Sequence, residues 1–172
     1  MSDDSLNEVK EWIIAIIIAA LAAFLIKWLL FDIIQVSGLS MVPTLHNNDR
    51  VAVEKVSLYT HNIKHGQIII FDSGERGRGI YIKRVIGLPG DEVEIKDGSV
   101  FLNGDKLPEP YLKPDTYTDV PLKLKVPEGT VFVLGDNREV SEDSRYLGPI
   151  PIKSIKGHAI CRIFPFNQMR KF

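Results

Sequence analysis

Ser40 stands in the stretch Ser37-Gly38-Leu39-Ser40-Met41-Val42-Pro43-Thr44-Leu45, a few residues past a long apolar segment. A serine hydroxyl is a poor nucleophile at neutral pH unless a neighbouring base takes its proton, so its chemistry depends on a partner. Four histidines are present: His46, His61, His65 and His158. They lie in polar or turn-like surroundings, form no Ser-His-Asp pattern and lack the HExxH zinc spacing, and they read as solvated or locally bonded side chains. The other partner is Lys83, in Ile80-Tyr81-Ile82-Lys83-Arg84-Val85-Ile86-Gly87. Alternate residues of a strand share a face, which sets Lys83 beside Tyr81 and Val85 and turns Arg84 the other way. Desolvation on such an apolar face disfavours the ammonium and can bring a lysine from about 10.4 down to ~7–8, where it serves as a general base. The same spacing also fits a lysine that snorkels to the surface, so spacing alone leaves both readings open.

The elements that must position these residues are strands. From Val51 onward, short β-branched and apolar runs alternate with Gly, Pro, Asn and Asp, the pattern of a mostly β, antiparallel domain. The predicted strands are Val51 to Val56, Gln67 to Phe71, Ile80 to Ile86, Glu92 to Ile95, Ser99 to Leu102, Val131 to Leu134 and Ile155 to Phe164. Asp97-Gly98 supplies a hairpin turn between two of them. Pro108 to Pro127, richer in Pro, Lys and Asp, is expected to be an exposed excursion within one domain. Gly74 to Gly79 reads as a surface turn rather than a phosphate loop, and no metal or nucleotide site is expected. A net charge of −1 with no basic stripe argues against a nucleic-acid partner. The lone Cys161 excludes an internal disulfide, and its apolar neighbours suggest a buried, inert thiol.

Trp12 to Phe31 is apolar apart from Lys27. As a helix this run is ~30 Å long, the thickness of a bilayer's hydrocarbon core. The expected organisation is therefore a short tail (residues 1–11), one transmembrane helix (12–34) and a β-domain outside the membrane (35–172). Lys27 can snorkel at one end, with Trp12 and Trp28 as interfacial anchors. Lys10 is the only basic side chain before the span and four acidic residues accompany it, so charge says little about orientation. Ser40 lies within ~30 Å of the end of the apolar run, so its substrate must come to the membrane surface.

Three ordered segments carry a family resemblance: Ser37 to Leu45, Tyr81 to Asp91 (Tyr-Ile-Lys-Arg-Val-Ile-Gly-Leu-Pro-Gly-Asp) and Gly135 to Gly148 (Gly-Asp-Asn-Arg-Glu-Val-Ser-Glu-Asp-Ser-Arg-Tyr-Leu-Gly). Behind an apolar anchor they resemble the successive boxes of bacterial type I signal peptidases. The compact, single-anchor layout is similar to the Gram-positive form.

The resemblance implies a membrane-bound serine endopeptidase that removes signal peptides from secretory preproteins after a small-x-small site. Ser40 would be the acylating nucleophile, and Lys83 the base for acylation and then for the deacylating water. Ser141 would bond to the lysine amine and orient it, and Asp143 and Arg145 would support that loop as an ion pair; the plainer reading of that pair is a surface salt bridge worth ~0–1 kcal/mol. The Ser40 N–H would bind the oxyanion. Many relatives add a serine two positions earlier, where this chain has Gly38, so the second donor is expected from Gly38 backbone or a water. Met41, Leu45 and Ile82 would line the pocket for the residue before the cut, although core packing explains them equally well. The resemblance implies no cofactor, a catalytic domain on the extracytoplasmic face and a monomer at the lipid bilayer. Three rivals share features of this chain: self-cleaving SOS-type repressors, which are soluble and carry a DNA-binding head; a non-catalytic, membrane-anchored peptide-binding β-domain; and the endoplasmic-reticulum-like branch, which has His where the bacterial enzymes have Lys, as Lys83 here. The joint presence of Ser40 and Lys83 argues against the second. Phe164, Phe166 and Phe172, with Arg170 and Lys171, form an end that either packs or dips into the lipid interface.

Overall fold

A computed structural model describes residues 3–60, 62–74 and 79–172, excluding the side chains of residues 3–6, 26, 28, 59 and 60. His61, the Trp28 anchor and the centre of the Gly74 to Gly79 turn thus lie outside the described residues. Helix α1 (Asp3–Leu30) passes directly into strand β1 (Phe31–Gln35). The helix therefore takes in most of the expected tail and stops short of residue 34. Strand pairing decides the end point: β1 aligns antiparallel with β2 (Arg50–Glu54), from Phe31 opposite Glu54 to Gln35 opposite Arg50, which helix would forbid. Among the described residues no helix is long and apolar enough to cross a membrane.

The remaining strands are β3 (Ile68–Asp72), β4 (Ile80–Gly87), β5 (Glu92–Lys96), β6 (Ser99–Leu102), β7 (Asp105–Lys106), β8 (Leu122–Lys125), β9 (Thr130–Leu134), β10 (Ile150–Pro151), β11 (Ile155–Phe164) and β12 (Arg170–Lys171). Short helices α2 (Val56–Thr60) and α3 (Ser144–Leu147) interrupt them. The main sheet runs β1-β2-β11-β3-β4-β9-β10 with β12 beside β11, and a smaller sheet runs β7-β6-β5-β8; every pairing is antiparallel. The mostly β, antiparallel expectation holds, and each predicted strand is found with its ends shifted by at most two residues. The largest difference is at Val56, which opens α2 because the Glu54 carboxylate accepts the Ser57 N–H.

Strand β8 corrects the expectation of a wholly exposed excursion. In Leu122-Lys123-Leu124-Lys125 the lysines face solvent, and both leucines pack on the core of the small sheet. That alternation is the period-2 signal of a half-buried strand, masked in the sequence by surrounding prolines.

Central strands read as unbroken apolar runs because both their faces are covered. In β3, Ile68 and Ile70 join Val36, Met41, Leu45, Val51, Val53 and Ala159 on one face, while Ile69 and Phe71 join Val85, Val131 and Val133 on the other. In β9, Val131 and Val133 face that second cluster, and Phe132 and Leu134 face a third, built with Ile86, Val93, Ile95, Val100 and Val126 of the small sheet. Strand β11 threads between β2 and β3 with register irregularities on both sides. Gly157 makes the close approach feasible, since a Cβ there would stand 2.6 Å from the Glu54 carbonyl oxygen. Cys161 is half-buried rather than fully buried.

Candidate active site

Ser40 sits on a loop, residues 36–49, that the chain closes on itself. Val36 donates to the Asp49 carbonyl at 2.8 Å and Asn48 donates to the Val36 carbonyl at 2.9 Å. The buried Asp49 carboxylate accepts from Arg162 of β11 and from the His46 N–H, both at 2.9 Å, which staples the loop base to the main sheet. Beneath the loop Met41 and Leu45 are inserted into the core, at 2% and 0% exposure. A second clamp comes from the far end of the fold: the Asn137 N–H donates to the Ser40 carbonyl at 2.9 Å, and Asn137 Nδ2 donates to the Leu39 carbonyl at 3.2 Å.

Lys83 lies in the middle of β4, opposite Ile69 of β3, and is 2% exposed. Its Nζ is 2.9 Å from Ser40 Oγ. As an ammonium the nitrogen donates to that oxygen; as a neutral amine it can accept the hydroxyl proton over the same distance. The Tyr81 ring, two residues back on the same face, has its centroid 5.0 Å from Nζ. Burial pulls Lys83 from 10.5 down to about 8, against the raising fields of Asp143 and Glu142, with Arg145 adding to the lowering. Desolvation is the largest of these effects, and Asp143, the first of the two acids, is committed elsewhere.

That commitment is visible in residues 135–145. Asp143 accepts from Arg145 Nε at 2.9 Å, Arg145 Nη2 at 3.0 Å and the Gly135 N–H at 2.9 Å. Both side chains are 0% exposed, so this is a buried ion pair and not a surface bridge. Arg145 also bonds to Asp119 and to the carbonyls of Arg138 and Ser141. Burial works against the Arg145 charge, and the Asp143 hydrogen bonds and field more than offset it, leaving its pKa raised. Ser141 departs from expectation: its Oγ is buried but, among the described residues, makes no hydrogen bond to Lys83 or to any other group. The hydroxyl is packed against Gly135, whose bare Cα leaves room for it and for the Ser40 carbonyl.

Other expected residues divide. Met41 and Ile82 line a cleft of about 290 Å³ with Ile34, Gln35, Ser37, Gly38, Ser40, Tyr81 and Lys83. Leu45 is not on that wall; it is core. The Gly38 N–H, a candidate oxyanion donor, is already given to Asn47 Oδ1 at 3.0 Å. Gly38 itself has φ +97°, a conformation that favours glycine over any side chain.

Sequence reasoning missed Asp136, Asn137 and Arg138. Asp136 forms a buried two-point pair with Arg84, at 2.8 and 2.6 Å, and Tyr111 covers the guanidinium at 3.9 Å. Arg138, fully buried, donates to Gly135 O, Thr118 and Glu109. The signal was available in principle: three polar residues directly after an apolar strand, within a motif already singled out, have to satisfy one another once buried.

A buried amine beside a serine hydroxyl, at the edge of a cleft in an antiparallel β-domain, is equipped for the chemistry of a serine hydrolase with a lysine base. The sequence model of the family described as "Signal peptidase, peptidase S26" matches residues 9–164. The chain is 44% identical to signal peptidase I of Bacillus licheniformis, over 99% of this chain and 96% of that one. It is 42% identical to signal peptidase I T of Bacillus subtilis, over 96% and 90% of the two chains, and 36% identical to signal peptidase IB of Staphylococcus aureus, over 95% and 94%. The crystal structure of a signal peptidase I from Enterococcus faecalis superposes with a TM-score of 0.50 at 35% identity, covering 56% of this chain and 96% of that one. The chain belongs to the bacterial type I signal peptidases.

Gly135 supports a direct test. A methyl group there would stand 2.5 Å from the Ser40 carbonyl oxygen, a backbone atom that cannot swing aside. Gly135→Ala is expected to lower kcat/KM for a signal-peptide substrate by about 10²-fold through a displaced nucleophile. Thermal unfolding of the variant should show a loss on the order of 1–3 kcal/mol.

Proposed function

We propose that this chain cleaves signal peptides from secretory preproteins with Ser40 as nucleophile and Lys83 as general base. The observation that carries the reading is the 2.9 Å approach of Lys83 Nζ to Ser40 Oγ at a site where the lysine is 2% exposed. Family membership supports proteolysis over the alternative of a non-catalytic peptide-binding domain.

The steps follow from the geometry. A preprotein segment lies extended in the cleft beside β1 and β4. Neutral Lys83 takes the Ser40 proton as Oγ attacks the scissile carbonyl carbon, and the Ser40 N–H faces the developing oxyanion. The resulting ammonium gives its proton to the departing amine, which becomes the amino terminus of the mature protein. Lys83, neutral again, deprotonates the water that attacks the ester on Ser40 and gives that proton to Oγ as the C–O bond breaks, releasing the signal peptide and restoring the serine hydroxyl. Met41 and Ile82 restrict the cleft beside Ser40, which fits a small side chain before the cut. Asp143, Arg145 and Ser141 build the wall behind the amine and are positioning groups.

We further propose that α1 anchors the domain, N-terminus inside and Ser40 at the extracytoplasmic surface, in a single-pass monomer. Support comes from the apolar run in the sequence and from its unpacked side chains: Trp12, Ile16 and Phe24 are 71%, 65% and 65% exposed. Phe164 and Phe166, stacked edge to face at 5.5 Å, are also exposed, which suits contact with lipid better than core packing.

Ser40→Ala and Lys83→Ala should each abolish precursor processing by the detergent-solubilised protein while leaving its circular dichroism unchanged; wild-type cleavage by either variant rejects the dyad. Because the active amine is neutral and its pKa lies near 8, kcat/KM should climb about tenfold per pH unit below 8 and level off above it. A profile flat from pH 6 to 10 contradicts the base assignment. For the anchor, an N-terminal tag in intact cells should resist external protease, and its digestion there would reverse the proposed orientation.

A further inference from the structure

Glu142 takes no part in the steps above, yet it stands where it can affect them. It lies between Ser141 and Asp143, half-buried, and Tyr81 Oη donates to its Oε2 at 2.9 Å. This bond ties the loop before α3 to β4 across the amine. Tyr81 is itself a wall of the cleft, and its ring lies against Lys83 Nζ. We infer that Glu142 is a positioning residue for the signal-peptidase reaction: through Tyr81 it fixes the aromatic wall beside Lys83, and it holds a negative charge against that amine. The inference rests on the Ser40–Lys83 reading and specifies how the base is tuned.

The groups around Lys83 make the case. Strand β4 contributes Tyr81, and β3 contributes the apolar Ile69 across the register. The nucleophile loop contributes Ser40. The segment before and within α3 contributes Glu142, Asp143 and Arg145. Asp143 and Arg145 are one buried pair, and their fields at the amine have opposite signs. Glu142 acts in the same sense as Asp143, favouring the ammonium. An aromatic face also favours a cation over a neutral amine. Tyr81 and Glu142 therefore pull together against desolvation.

The consequence is a compromise between two quantities a general base needs. Without this pull the amine would be neutral over more of the pH range but would be a weaker base; with it, the amine is stronger but needs a higher pH to be free. The tether matters because an exposed carboxylate free to swing into water acts weakly at a distance, whereas one held by a phenol keeps its place.

The test is the pH dependence of kcat/KM on a signal-peptide substrate, compared among wild type, Glu142→Gln, Glu142→Lys and Tyr81→Phe in the full chain. Removing the charge should move the acid limb to lower pH, so that one unit below the wild-type midpoint Glu142→Gln is about two- to fourfold faster, with a slightly lower plateau. Glu142→Lys should move the limb further in the same direction. Tyr81→Phe keeps the ring, removes the phenol's bond to Glu142 and should give a smaller shift of the same sign. A merely structural role would lower rates at every pH without moving the limb. The proposal is overturned if the limbs of both Glu142 variants superimpose on the wild type, or, should those variants not fold, if that of Tyr81→Phe does. Failure of the underlying dyad would show separately, as a wild type with no acid limb or an active Lys83→Ala.

Discussion

Removing water from the Lys83 amine is the constraint from which the rest of the site follows. An exposed lysine is an ammonium at neutral pH and cannot accept a proton from serine. Burial between β3, β4 and the nucleophile loop brings its pKa to about 8. A carboxylate bonded directly to Nζ would undo this by stabilising the charge. The fold instead places the nearest buried acid, Asp143, in a two-point embrace with Arg145, so that its charge is largely met before it reaches the amine. The ion pair is therefore best understood as insulation and scaffold. Removing one partner would leave the other charge buried, at a cost on the order of 3–5 kcal/mol.

The second requirement is that a loop, the least rigid kind of element, must hold Ser40 Oγ at hydrogen-bond distance from a strand residue. Three anchorages achieve it. Met41 and Leu45 plug the loop into the core, the Arg162–Asp49 pair fastens its base to β11, and Asn137 grips two consecutive carbonyls at the nucleophile. The last anchorage comes from the turn after β9, and the Arg84–Asp136 pair binds that turn to β4. Ser40, the strand bearing Lys83 and the Asn137 clamp are thus joined through buried charged groups. A displacement at any one of them is transmitted to the others, because none of these buried polar groups can give up its partner without loss.

Much of the site was legible before any coordinates. Ser40 and Lys83 were identified from nucleophile chemistry, strand alternation and motif resemblance, and each predicted strand exists. What escaped notice had specific causes. Strand β8 was hidden because prolines around Leu122 to Lys125 suggested loop. The strand Phe31–Gln35 was read as the end of a helix, since an apolar run carries no mark of where pairing with β2 takes over. For Leu45 the sequence leaves pocket and core both open, because position in a motif does not say which way a side chain points; it points into the core. Of the two second oxyanion donors the sequence suggests, Gly38 backbone or a water, the Gly38 N–H is taken by Asn47, nine residues on. Ser141 was expected to bond to the lysine; its hydroxyl is buried beside Gly135 without a hydrogen bond.

By itself the sequence determined the chemistry available: a serine in one motif, a lysine on an apolar strand face in another, an apolar run ahead of both, and β-branched runs suited to sheet. These are local properties, carried by residue type and by periods of two or three residues. Tertiary structure decided everything that depends on distance between segments far apart in the chain. It brought Nζ to 2.9 Å from an oxygen forty-three positions away, matched Asp143 to Arg145 and Asp136 to Arg84, and bonded Tyr81, a wall of the cleft, to Glu142. A pKa and a hydrogen bond are set by the whole surroundings of a group, and those surroundings exist only once the sheets have packed.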